Sequence, residues 1–352
     1  MKNNLYIILV SFIPFFVDCP FTSSQLSYVV VIIIGILAYQ KICISKMVGF
    51  AQAILFLIIT ALFRTNQYNT FFFKDLGLMF LGVFPFIFNP KFKINTRALN
   101  ILMFIGFVIS IWSNFFEFKI SKDSFLESDF GIEIGAYTYT FGLLILYWIQ
   151  KKNFVWALIN LPFLFLGGKR IAMISIIICV CLGFLLLRRK GKVPFFIKSL
   201  FLVSVLLLLY FIYQFSMNKY DDFIMNYFGI SADALVMGRQ QFYAVIFSII
   251  QEPNYWGIGP GNTIIPLYSE FEETRIHNDF LKIYAENGIC IYLCFFFLFF
   301  RDMKWEQIPT IIFILSLFMT TNTLIYVYMI FMYCLFLSSN NYLQDVPEHP
   351  KK

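Results

Sequence analysis

Four basic side chains have the types and spacing to do chemistry together. Arg170 follows Gly167, Gly168 and Lys169 in a short turn, Arg239 opens the segment MGRQQFYAVIFSIIQEP, and Arg275 precedes His277 by two positions. A guanidinium stays charged and forks onto phosphate or carboxylate oxygens, so several converging on one surface suit an anion such as a diphosphate. Each arginine also has a plainer use. Arg170 could snorkel to headgroups, Arg239 could cap a surface helix, and Arg275 could pair with Glu272 or Glu273.

His277 lies in RIHNDFLKIYAENGI and is one of two histidines in the chain; the other, His349 in the tail, has no assigned role. A helix beginning between Thr274 and Asn278 would put His277, Leu281, Tyr284 and Gly288 on one face, with Asp279, Lys282 and Glu286 on the other. Near a helix N-terminus an imidazole tends to stay neutral and can accept a proton as a general base. The alternative is an interfacial hydrogen-bonder or a cap. Beside arginines, a neutral base is what glycosyl transfer from a lipid diphosphate requires: a base for the acceptor hydroxyl and cations for the leaving diphosphate.

Two neighbouring features could complete such a site. Phe242, Val245, Ile246, Ile249 and Ile250 recur at helical spacing, which predicts a helix lying along the membrane surface, apolar side down. After Pro253 comes WGIGPGN, where Gly259, Gly261 and Asn262 must form a turn whose free amides could cradle phosphate or sugar oxygens, although a tight surface turn reads the same. Lys74 and Asp75 could line a cavity or snorkel. Tyr137 and Tyr139 read as a membrane belt or packing.

The elements that position these residues are apolar helices. Of 352 residues, 60% are hydrophobic, 20% aromatic and 13% charged, which excludes a soluble globule. The expected fold is all-α: a polytopic integral membrane protein of ten to twelve spans, about twelve in all, at residues 4–20, 26–40, 47–64, 70–88, 97–117, 134–150, 153–167, 171–187, 196–215, 277–300, 307–320 and 322–338. The first apolar run, Leu5 to Val17, lacks a small-residue cleavage site and is expected to be retained as a short helix. Seven cysteines lie in or beside apolar runs, and none forms a CxxC pair or a His/Cys cluster.

Basic residues fall in alternate connections: Lys41 and Lys46; Lys91, Lys93 and Arg97; Lys151 and Lys152; Arg188, Arg189, Lys190, Lys192 and Lys198; Arg301 and Lys304; Lys351 and Lys352. The positive-inside rule makes these cytoplasmic, with both termini, so the formal charge of +7 reflects topology and argues for no nucleic acid partner. The other connections are acidic and outward. One is the smaller loop at 118–133; the other is the long loop at 216–276, which carries the amphipathic helix and the glycine-rich turn. Residues 1–352 read as a single membrane domain.

MGRQQFYAVIFSIIQEPNYWGIGPGN followed by HNDFLKIYAENGI resembles the O-antigen polymerase and O-antigen ligase superfamily, and GGKRIAMISI resembles its earlier arginine motif. The resemblance implies a GT-C-like, multi-spanning glycosyltransferase of the bacterial inner membrane. It would use undecaprenyl-diphosphate-linked glycans at the periplasmic face, with no cofactor and no metal. Carried over by position, Arg170 and Arg239 would bind the donor diphosphate and His277 would activate the acceptor, with Arg275 as a fourth member. Gly259, Gly261, Asn262 and Tyr284 are the further substrate-binding candidates. Lys169 departs from the small polar residue usual at its position. The short chain, its Phe/Ile/Lys/Asn-rich composition and the acidic loops favour polymerase over ligase by analogy, and the family implies a co-polymerase that regulates chain length. A flippase or transporter would instead show charge near the midplane and broken helices in paired halves, and a scaffold subunit would leave the Arg and His set without a purpose.

Overall fold

The computed structural model describes residues 29, 32, 33, 35–37, 42, 44–64, 70–88, 95–113, 135–167, 169–186, 188–229, 231–236, 238–250, 254–273 and 275–344. Expected spans 4–20 and most of 26–40, the acidic loop at 118–133, and both termini lie outside the described residues.

Apolar runs become helices because a chain with this little polarity must satisfy its own backbone. Ten helices follow the expected spans: α1 (Gly49–Arg64), α2 (Thr70–Phe88), α3 (Thr96–Ser113), α4 (Gly135–Gln150), α5 (Phe154–Leu166), α6 (Arg170–Leu186), α7 (Phe195–Ser216), α12 (Asp279–Phe300), α13 (Ile308–Phe318) and α14 (Val327–Gln344). The long connection after α7 is itself helical, with α8 (Asp221–Phe228), α9 (Ala232–Leu235), α10 (Arg239–Ile249) and α11 (Ile264–Phe271). Among the described residues there is no β-strand, only an isolated bridge between Lys192 and Lys304. Among the described residues two helices, α7 and α12, are long and apolar enough to cross a bilayer unaided, and six shorter apolar helices accompany them. Rows of large apolar side chains face outward, among them Ile174, Ile177 and Ile178 on α6 and Leu200, Val203 and Leu207 on α7. Such surfaces suit lipid, and the chain is a helical membrane protein.

Helix α12 packs along α1 and α7, α13 along α6, and α14 along α2 and α4. Small residues bring backbones close. A Cβ at Gly82 would come 2.7 Å from Ile330, and one at Gly142 would come 2.4 Å from Phe313. Between α3, α4 and α5 the buried Asn100 and Asn160 exchange bonds of 2.9 and 3.1 Å, and Trp148 Nε1 donates to Asn100 Oδ1 at 2.7 Å, so polar groups in an apolar layer are paired.

The bundle has two distinct ends. At one, the turns holding Arg188 to Lys192 and Arg301 to Lys304 lie together: Val193 N–H donates to Met303 at 3.1 Å, Trp305 N–H to Gly191 at 3.1 Å, and Arg189 stacks 4.7 Å over the Trp305 ring. Gln150 beside Lys151 reaches Thr310 at 2.9 Å, bringing a third basic turn to the same end. Burial lowers the Lys151 ammonium below its usual range, opposed by the Glu306 carboxylate. Helix α12, roughly 33 Å long at 1.5 Å per residue, carries the chain from Asp279 at the opposite end to this basic end. The basic connections expected to share a side therefore do share one wherever they are described.

Candidate functional site

The site is organised by a short polar turn between α13 and α14. MTTNT, Met319 to Thr323, interrupts two apolar helices. Thr321 Oγ1 lies 2.9 Å from the Leu317 carbonyl and 2.7 Å from Thr323 Oγ1, which holds the turn in shape. Four expected or neighbouring groups hang on it. Arg239 Nη1 donates to the Thr320 carbonyl at 2.8 Å, the His277 backbone N–H donates to Asn322 Oδ1 at 3.1 Å, Asn278 Nδ2 donates to the Met319 carbonyl at 3.2 Å, and the Leu324 N–H donates to Asp279 Oδ2 at 3.1 Å.

His277 is not on the helix. Asn278 is the N-cap, its side chain accepting the Leu281 N–H at 2.9 Å, and α12 starts at Asp279. An expected start as early as Thr274, with His277 sharing a face with Leu281 and Tyr284, is thereby corrected: a good capping residue at position 278 stops the helix one residue short of the imidazole. His277 instead adopts a left-handed backbone, φ 52°, sparsely populated by residues other than glycine and held here by Asn322. The half-buried Tyr284 ring packs 6.3 Å from Tyr292 and 6.5 Å from Phe247.

Arg239 begins α10 directly after Gly238, whose φ of 78° turns the chain into the helix. The buried stripe of α10 is Gln240, Tyr243 and Ile246. It faces protein: Gln240 Nε2 donates to the Phe215 carbonyl and to Asp221 Oδ1, both at 2.9 Å, while Phe242 meets Phe271 at 4.8 Å. The helix expected to rest apolar-side-down on lipid thus docks on α7 and α11. Burial pushes the Tyr243 phenol above its usual range, and the Asn278 hydrogen bond and Arg239 charge pull it partly back, so Tyr243 stays neutral beside Arg239.

The glycine-rich turn closes a broken helix. At Gly288 the α12 backbone leaves helical geometry, φ 77° and ψ 172°, and carbonyls of the preceding turn lose their intrahelical partners. Ile258 N–H donates to the Ala285 carbonyl at 2.8 Å, Gly259 N–H to Glu286 at 3.1 Å, and Ile289 N–H to Asn254 at 3.0 Å. Gly261 N–H bonds the Glu286 carboxylate, and Asn262 Nδ2 donates to Ile258 at 2.8 Å. The amides of Gly259 and Gly261, which could have cradled an anion, are turned to α12, and the Asn262 side chain closes the loop on Ile258. The approach is close enough that a Cβ at Gly257 would come 2.4 Å from the Glu286 carbonyl.

Beside the Asn322 turn opens a cleft of about 470 Å³ lined by Lys74, Asp75, Thr263, Arg275, Lys282 and Asn322 among others. Asp75 and Lys282 form an ion pair within it. Glu286 accepts the Thr263 hydroxyl at 2.5 Å. Among the described residues no ion pair closes on Arg275, so the expected alternative with Glu272 or Glu273 is not what the structure has. Lys74 and Asp75 line this cavity, the first of the two uses open to them. Arg170 is the first residue of α6, and its side chain lies outside the description. A Cβ at Gly183 on α6 would lie 4.0 Å from the Pro309 ring at the start of α13, so α6, running antiparallel to α13, starts with Arg170 at the Met319 end of the bundle.

Sequence reasoning missed Asn322, Thr320 and the Asp75–Lys282 pair. Its available signal was the run TTNT inside an apolar stretch, where three polar side chains and a further threonine have no lipid-facing use. A search of curated proteins finds no match to the chain. Residues 153–296, less than half of the 352, match the profile of a family described as O-antigen ligase. That segment contains Arg170, Arg239 and His277 together, and it supports placing the chain in the O-antigen polymerase and ligase superfamily, with polymerase and ligase undistinguished.

Proposed function

We propose that this chain is an O-antigen polymerase, a metal-independent GT-C-type glycosyltransferase of the inner membrane. It joins undecaprenyl-diphosphate-linked repeat units at the periplasmic face during lipopolysaccharide assembly. Arg170 and Arg239 hold the donor diphosphate, Arg275 in the cleft extends the cationic surface, and His277 takes the proton of the acceptor hydroxyl. About twelve spans, with both termini in the cytoplasm, carry this site, and a chain-length-regulating co-polymerase is its partner. The observation that carries the reading is the convergence of Arg239 and His277 on one polar turn at the end of the bundle opposite the basic connections. A cation and an imidazole gathered at the end away from the basic turns suit a phosphate-bearing lipid, and the family match agrees with that chemistry.

The ligase reading is favoured by the description of the matched family, O-antigen ligase. A transporter would use buried charge and broken helices, and α12 has both: a break at Gly288 and the buried Asp279, Lys282 and Glu286. These charges span only the first ~10 Å of α12, on the rise per residue of a helix, and so sit at one end of the bundle. One deletion experiment separates the readings. In a host making the matching repeat unit, loss of this chain should leave lipopolysaccharide carrying a single repeat. Bare core with polymer on the carrier would mean a ligase, and units trapped inside would mean a flippase. His277→Ala protein present at normal levels should make no long chains; long chains would end its assignment as the proton-accepting group.

A further inference from the structure

Asn322 grips His277 at two points, and the pair of bonds fixes more than position. Its Oδ1 accepts the His277 backbone N–H at 3.1 Å, and its Nδ2 stands 3.2 Å from His277 Nδ1. A backbone N–H only donates, so the carboxamide atom facing it must be the oxygen, and the atom facing the ring must be the NH2. A carboxamide NH2 also only donates. Nδ1 must therefore accept, and in the neutral imidazole the proton then sits on Nε2. Turning the carboxamide over would set its NH2 against the backbone N–H, two donors face to face. With Asn322 1% exposed, no bulk water is at hand to relieve that clash.

We infer that Asn322 is a positioning residue that holds His277 in its Nε2–H tautomer while clamping its left-handed backbone. The consequence for chemistry rests on reading His277 as the group that takes the acceptor's proton; the tautomer itself does not. In this arrangement Nε2 carries the hydrogen and Nδ1 is engaged by Asn322. The remaining lone pair of this tautomer is on Nδ1, so the acceptor's proton can be taken up only there, and that requires Asn322 to release the ring. An acceptor hydroxyl that displaces the Asn322 amide would pass its proton to Nδ1, leaving an imidazolium with the Nε2 hydrogen in place.

The test uses the full chain in detergent, labelled with 15N-histidine, at alkaline pH where imidazole is neutral. Only two histidines contribute, and His349→Gln assigns them. Wild-type His277 should show a pyridine-type Nδ1 and a pyrrole-type Nε2. In Asn322→Asp the carboxylate only accepts, so the proton should move to Nδ1 and the two resonances interchange. Asn322→Ala should let the tautomers exchange and move both resonances toward averaged positions. A protonated Nδ1 in the wild type, or a pattern unchanged in Asn322→Asp or Asn322→Ala, overturns the inference, and the wild-type spectrum decides even if a variant fails to fold. A polymerisation assay on the same wild-type preparation keeps the two questions separate: absence of polymer defeats the transferase reading and leaves the spectrum's answer standing.

Discussion

Arg239 has two tasks at once if it binds diphosphate, since one guanidinium nitrogen already supports the Thr320 carbonyl. A lysine keeps the charge but lacks the fork, so Arg239→Lys should lose at least about tenfold in polymer synthesis while the protein remains in the membrane. Assay of lipid-linked products against protein level checks it, and near-normal synthesis would remove Arg239 from the anion site. Lys282 poses a different question. It is the cation of a buried set that includes Asp75 and Glu286, so Lys282→Ala should destabilise by about 3–5 kcal/mol by leaving carboxylates unpaired. Thermal unfolding in detergent reads this. Asp75→Asn with Lys282→Met should recover much of the loss, because removing both charges avoids an orphan. His277 was legible from the sequence as the one histidine in a polar stretch between apolar helices. Its partner was not, because Asn322 lies 45 positions away and only the fold brings a hairpin turn over the imidazole.

At the scale of elements, periodicity and apolar length identified the helices well, since every described helix of the bundle coincides with an expected span. What hydropathy cannot register is a break. Gly288 sits between Glu286–Asn287 and the apolar run from Ile289 within one helical stretch, and its φ of 77° with ψ of 172° is open essentially to glycine alone. Gly288→Ala should therefore destabilise by at least ~2 kcal/mol from backbone strain, and its Cβ would also come 2.4 Å from the Tyr255 carbonyl. The unfolding midpoint in detergent measures it, and an unchanged midpoint would mean that the break is not required. The same geometry explains why the glycine-rich turn was only half readable. Its tightness follows from composition, whereas the use of its amides depends on carbonyls released from a helix about thirty residues downstream. Likewise the helical spacing of α10 is visible in the sequence, but spacing does not say which face meets protein, and the buried stripe is Gln240, Tyr243 and Ile246 rather than the row from Phe242 to Ile250.

For the whole molecule, the decisive feature is polarity from end to end. If the basic turns are cytoplasmic, single cysteines in a cysteine-free background should report it. In spheroplasts, Trp256→Cys, exposed beside the cleft-forming loop, should react with an impermeant maleimide, and Lys192→Cys only after permeabilisation. The reverse pattern would put the site in the cytosol and defeat the proposed use of periplasmic donors. Charge distribution made this end-to-end order readable from sequence for the connections that are described. The inward packing of the long acidic connection was not readable, because α10 finds its partners outside the connection in α7, α12 and the Met319–Thr323 turn.

The Met319–Ile325 turn lies beyond the family-matched segment, yet it supports residues within it. Modularity by sequence and modularity by contact therefore disagree. A chimaera that transplants residues 153–296 into a relative would import the arginine and the imidazole without Thr320, Asn322 or Asp75. Co-transplanting the C-terminal hairpin and α2 would carry the missing supports, and that larger exchange is the unit within which repeat-unit preference should travel between relatives.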